Sequence, residues 1–125
     1  QEEAEVFDNT VGIRRRHIAP DNMCASDMCQ AAAEKLLEEL GWERDSIDVL
    51  LFESVTGDYR TPPTSCILQD RLALSENCFC MDIPMGCCGC MYAITVAGNL
   101  LTTGNVKRAL LLIGDTALRM GSMKD

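Results

Sequence analysis

Apolar residues recur at every fourth position between residues 26 and 40, as Met28, Ala32, Leu36 and Leu40, with Cys29, Ala33 and Leu37 beside them. That spacing lays a stripe along one face of an α-helix. Ser26-Asp27 supplies the start, with Asp27 near the positive end of the helix dipole, and Gly41 the stop. Residues 47–52 then run apolar without alternation, apart from Asp48 at the entry, which predicts a strand covered on both faces. A loop through Gly57-Asp58-Tyr59 leads to Pro62-Pro63, and Pro63 is placed to open a second helix reaching Leu72. Residues 77–83 read as the next strand. Residues 86–101 are apolar nearly all round (Met91, Tyr92, Ala93, Ile94, Val96, Ala97, Leu100), the mark of a buried central helix. After a turn at Thr103-Gly104-Asn105, Ala109–Ile113 reads as a third buried strand closed by Gly114-Asp115. Strands alternating with helices predict crossover units and a mainly parallel α/β sheet.

No internal repeat or low-complexity stretch interrupts this order. Residues 1–10 are acidic and lack periodicity, so they read as a lead-in, with the domain proper over residues 11–125. Three strands are few for a sheet carrying a fully apolar helix. The expectation is one part of a larger polypeptide, in which something further covers that helix.

Charge and composition narrow the partners. With 125 residues, 47% of them apolar, the chain can bury a real core. Its formal net charge of −8 argues against nucleic acid, whose binding is driven by Lys and Arg. The one dense basic run, Arg14-Arg15-Arg16-His17, reads as a solvated turn before a helix, with an anionic-ligand contact as the alternative. Eight cysteines would suit a disulfide scaffold. However, Cys29, Cys66, Cys78 and Cys80 sit inside apolar patterns as buried thiols do, and no signal-peptide pattern heads the sequence. Reduced thiols in a cytoplasmic protein are expected. No apolar run reaches the roughly 18 residues of a membrane span, and no membrane association is expected.

The chemistry concentrates at Asp82-Ile83-Pro84-Met85-Gly86-Cys87-Cys88-Gly89. A strand ends here, passes through a small-residue turn and enters the apolar helix. A cysteine at such a junction, Cys87, meets the helix's first unpaired amides and its dipole, which favour the nucleophilic thiolate. A helix N-terminus contributes only about 0.3–1 kcal/mol, so a base or oxyanion donors are needed as well. Cys87-x-x-Cys90 also matches a thiol–disulfide motif, but all four prolines precede it, leaving no downstream proline to face the thiols. Zinc lacks a second ligand pair, and His17 is the sole histidine. Asp82 reads as a turn cap. Ser26 and Ser65 lack a Gly-x-Ser-x-Gly context, and no dinucleotide fingerprint occurs. The seven methionines read as core filler.

Residues 11–119 resemble the first half of ketoacyl-acyl carrier protein synthase III, a condensing enzyme of the thiolase fold. Gly12-Ile13-Arg14-x-Arg16-His17, Ala25-Ser26-Asp27 and Ile47-Asp48-Val49-Leu50-Leu51 are similar to that family's segments. So are Leu68-Gln69-x-Arg71-Leu72, Asp82-Ile83-x-x-Gly86-Cys87-x-Gly89-x-x-Tyr92-Ala93 and Asn105-x-Lys107-x-Ala109-Leu110, all in the family's order. The resemblance implies an αβαβα sandwich, usually a homodimer, with Cys87 taking an acyl group from a thioester. Condensation with a malonyl thioester and loss of carbon dioxide would follow. Acyl carrier protein is the implied partner. Acyl-coenzyme A or acyl-carrier thioesters are the implied substrates, with no resident cofactor and no metal. The family's decarboxylating His and Asn come from its second half, so this chain alone is expected not to condense.

Three departures bear on substrate. The Trp and Arg that grip adenine in the family align to Val6 and Thr10, which points to poor coenzyme A binding or a carrier-bound donor. A bulky pocket residue aligns to Thr61, leaving room for a longer or branched chain. Cys88 and Cys90 replace the usual small and aromatic residues. A relative that makes a secondary metabolite or special acyl chain is thus an alternative within the family, and a Cys87–Cys90 redox protein an alternative outside it.

Overall fold

A computed structural model describes residues 10–12, 15 and 17–117. Helix α1 spans Ala25–Leu40, strand β1 Val49–Glu53, helix α2 Thr64–Arg71, strand β2 Phe79–Ile83, helix α3 Gly89–Thr102 and strand β3 Ala109–Ile113. The strands form one parallel sheet in the order β2-β1-β3. Leu51 pairs with Met81 on one side and Leu111 on the other, so β1 is the central strand. The parallel α/β expectation therefore stands, with each strand one crossover from the next.

Alternate side chains of β1 point to opposite layers. Leu50 and Phe52 pack with Ala25, Cys29, Ala33 and Leu37 of α1 and Leu68 and Leu72 of the α2 region. Val49 and Leu51 pack with Ala93 and Ala97 of α3. Two helices thus cover one face and α3 the other.

Two packing expectations need correction. The core-facing row of α1 is Ala25, Cys29, Ala33 and Leu37, one residue round from the expected row. Leu36 remains 42% exposed while Leu37 is 4%. Both rows repeat every four residues; small side chains at 25, 29 and 33 let the helix approach the sheet closely. Helix α3, expected to be buried, buries only Gly89, Ala93 and Ala97. Met91 is 65% exposed, and Tyr92 and Ile94 are exposed too. The sheet can cover only one side of a helix lying on it. No other described residue of this chain covers the opposite side.

The element ends are held by side chains. The Cys24 amide donates to Asp27 at 2.8 Å, and Gly41 takes the left-handed conformation (φ 61°) that closes α1. Asp82, at the fourth position of β2, caps α2 and not its own turn: its two oxygens accept from the Thr64 and Ser65 amides at 2.7 and 2.8 Å. Pro63 sits just outside that helix as its N-cap. At the other end of the sheet, Asp48 accepts from the Lys107 and Arg108 amides at 2.7 and 3.0 Å, stitching the start of β3 to β1.

Candidate active site

In open parallel sheets, ligands bind outside the carboxyl ends of the strands. Cys87 lies at that end. It is the middle residue of a single 3-10 turn, Gly86–Cys88, that joins the end of β2 to α3. The Met85 amide closes onto the Ile83 carbonyl at 3.0 Å. Gly86 then adopts φ 62°, a left-handed conformation that side chains resist, and this turns the chain back over the sheet. Cys87 and Cys88 emerge exposed, and Cys90, one position into α3, is partly covered.

Three of the other cysteines, Cys29, Cys78 and Cys80, differ in being buried or partly so. Burial, then the Asp115 and Asp58 carboxylates, push the Cys29 thiol up to about 11. Burial first, then the neighbouring thiols, push Cys80 up to about 12. Cys78 is raised by burial as well. Thiols held protonated in this way are poor nucleophiles. Cys66, expected inside the core, is exposed on α2, and all eight cysteines are free thiols. Among the described residues no group of three His, Cys, Asp or Glu is gathered to hold a metal.

Glu53 went unnoticed in the sequence pattern. It is the last residue of β1 and only 3% exposed. Its Oε1 is buried without a hydrogen-bond partner. That oxygen lies so close to Gly89 that a Cβ there would sit 2.0 Å from it and 2.4 Å from Cγ. Only glycine fits. The carboxyl reaches from the sheet to the start of α3, where the nearby Gly86 amide favours its charged form. Burial, then the charge of Asp115, raise its pKa above the usual glutamate value, and the Gly86 hydrogen bond offsets this only in part. A polar residue closing an otherwise apolar strand is the available signal, but its partner glycine is remote in sequence.

Asp115, just past β3, gathers the opposite loop. Its Oδ1 accepts from the Ser54 hydroxyl and the Val55 amide, each at 2.8 Å, and from the Thr56 hydroxyl at 3.1 Å. Burial pushes this carboxyl up, but those hydrogen bonds together outweigh it and the net shift is downward. The loop beyond is tied to both helices. Ser26 donates to Asp58, Arg71 donates to the Ser26 hydroxyl at 3.1 Å, and the Asp58 amide reaches Thr64 Oγ1 at 3.2 Å. Ser26 is therefore a buried packing hydroxyl. A cavity of about 530 Å³ opens between this loop (Val55, Asp58, Tyr59, Arg60) and the end of β2 (Asp82, Pro84). Cys87 is on the adjoining turn and does not line it.

Thr61 is exposed, as is His17. Val6, Ile13, Arg14 and Arg16 lie outside the described residues, as do residues 1–9 of the lead-in.

Comparison with known proteins supplies the context. No family model matches the chain. The β-ketoacyl-[acyl-carrier-protein] synthase III of Xanthomonas oryzae pv. oryzae (strain MAFF 311018) is 36% identical over 115 residues, which is 92% of this chain and 35% of that protein. The crystal structure of a 3-oxoacyl-(acyl-carrier protein) synthase from Burkholderia xenovorans LB400 matches with a TM-score of 0.92 at 41% identity, over 99% of this chain and 36% of that one. A tetronic acid condensing enzyme matches with a TM-score of 0.85 at 26% identity, over all of this chain and 39% of its own. The chain thus spans about a third of the length of the relatives it matches.

Proposed function

The chain is a thiolase-fold homologue of β-ketoacyl-[acyl-carrier-protein] synthase III over about a third of that enzyme's length, and we propose that Cys87 is the acyl acceptor of such a condensing enzyme. The observation that carries the reading is an exposed cysteine on a glycine-shaped turn at the carboxyl edge of the parallel sheet. Its thiolate attacks the carbonyl carbon of an acyl thioester. The tetrahedral oxyanion then collapses, expels the donor's thiolate and leaves the acyl group on sulfur. Donor and acceptor are both thiolates, so the exchange is close to balanced in energy and a modest oxyanion stabilisation drives it.

In the complete enzyme a malonyl thioester then loses carbon dioxide. Its carbanion attacks the acyl carbonyl, and the Cys87 thiolate departs. That step calls for donors beyond this chain, whose one histidine, His17, precedes α1 on an exposed segment. The reading carries with it a carrier-bound acyl donor, a homodimer in the cytoplasm, and no resident cofactor or metal. Thr61, in place of a bulky residue, favours a longer or branched acyl chain.

The test is acylation by a radiolabelled acyl thioester, with the donor on coenzyme A or on acyl carrier protein, followed by acid quench and peptide mapping. Label is expected on the Cys87 peptide, lost completely in Cys87→Ser, with no condensation product from malonyl thioester. Label on another cysteine, or a reversible disulfide between Cys87 and Cys90 in place of an acyl group, overturns the reading.

A further inference from the structure

The buried carboxyl beneath the turn is not used by the acyl-transfer chemistry above, and three independent observations converge on it. Glu53 is almost wholly buried at the sheet edge. Its Oε1 has no partner. It occupies the space that a Cβ on Gly89 would need, two residues beyond Cys87. Unpaired carboxyl oxygens are costly to bury, and a buried neutral or charged glutamate is retained only where surrounding structure compels it.

We propose that Glu53 is a positioning residue for Cys87: lodged against Gly89, it supports the turn from the sheet side, and by gaining or losing one proton in place it changes the charge behind the turn that carries the thiol. The proton comes from and returns to solvent, so no other group is consumed.

The groups around it set the direction. From the β3 end, Asp115 supplies the negative charge that bears on Glu53. On the α1 side, Cys29 shares the field of Asp115 but stays a neutral thiol. From β2, Asp82 has both oxygens committed to α2. From the turn and α3 come the Gly86 amide and the Gly89 backbone, against which the carboxyl lies. Burial and Asp115 both favour the protonated acid. Glu53 therefore keeps its proton above the usual glutamate range, and on losing it places an uncompensated charge under the turn. A negative charge behind the turn opposes the build-up of negative charge on a nucleophile that the turn carries.

The significance of the inference rests on Cys87 being the acyl acceptor, but its test does not. The readout is the rate of Cys87 carbamidomethylation by iodoacetamide on the full chain between pH 4 and 9, resolved by fragment-ion mapping. In the parent chain the rate should rise with pH in two stages, with an inflection below that of the thiol itself. Glu53→Gln keeps the side-chain shape and an acceptor for Gly86; it should erase the lower inflection and raise the rate at pH 8 by roughly threefold to tenfold. Asp115→Asn, which leaves Glu53 in place, should move the lower inflection to more acid pH and so tests the same idea if Glu53→Gln does not fold. A single inflection in the parent chain, or a profile unchanged by both substitutions, overturns the proposal. Failure of acyl transfer alone leaves these profiles intact and bears only on the acceptor assignment.

Discussion

Strand β1 carries a carboxylate at each end, and the two are treated oppositely. Asp48, just before the strand, has its charge satisfied by the Lys107 and then the Arg108 amide, and its pKa falls. Glu53, at the far end, keeps one oxygen buried and unpaired, and its pKa rises. The first end closes the hydrogen bonds of the sheet. The second leaves a polar atom uncompensated against Gly89, where α3 begins. An uncompensated polar atom at one end of the strand, against a satisfied carboxylate at the other, is the asymmetry that the proposed site calls for. The largest effect should come from filling the space between Glu53 and α3. Gly89→Ala puts a methyl group onto the carboxyl, with Glu53 walled in by the sheet. It should destabilise the chain by about 1–3 kcal/mol, the usual cost of overpacking. In a Glu53→Ala background the same substitution should cost far less, because the colliding atoms are gone. Urea unfolding of the four chains measures this coupling. Equal costs in both backgrounds would break the contrast at its Glu53 end.

A smaller effect is expected from Asp82, which sits at the same end of the sheet but is fully satisfied. Its carboxylate supplies α2 with the cap that Pro63, lacking a suitable side chain, cannot. Asp82→Ala should lower stability by about 1 kcal/mol, as loss of a helix cap does. It should leave Cys87 alkylation unchanged, which separates the load on the helix from the charge under the turn. Thermal melts and the alkylation rate together check both halves.

The legible and illegible parts of this molecule divide along the same line. Strand and helix order could be read because unbroken apolar runs at 49–52 and 109–113 have few other solutions in a chain this short. The turn that carries Cys87 could be read because glycines between a strand and a helix are a local feature. The cap by Asp82 could not, since its partners lie 17 and 18 residues away on another element. Glu53 carries no signal of its role in the sequence, because that role depends on Gly89, which only the crossover through α2 and β2 brings near. The row of α1 that faces the sheet was misplaced for a related reason. Four-residue repeats at 28–40 and 25–37 are equally periodic, and side-chain size against the sheet decides between them. Helix α3 reads as buried because it is apolar nearly all round; within the described residues one face lies against the sheet, and the other is the side that something further is expected to cover.

The smallest and most diagnostic effect is in how stability depends on pH. A group whose pKa is raised by folding gives stability that is complete below its unfolded value and lost as pH climbs through the folded one. For Glu53 that window opens at about 4.5 and extends upward. A group whose pKa is lowered gives stability that is present above its unfolded value and lost as pH falls through the folded one. For Asp48 the window opens at about 3.8 and extends downward. The stability of the parent chain relative to Glu53→Gln should therefore fall as pH rises from about 4.5 toward neutrality. The difference between the parent and Asp48→Asn should shrink as pH falls below 3.8. Urea midpoints from pH 3 to 8 give both curves from the same three proteins, with Asp48, exposed and screened by water, showing the shallower one. Slopes of opposite sign mean that one strand holds a stabilising carboxylate at its start and an opposed one at its end. Slopes of the same sign would mean that Glu53 finds a partner in solution, and the charge beneath Cys87 would then be compensated.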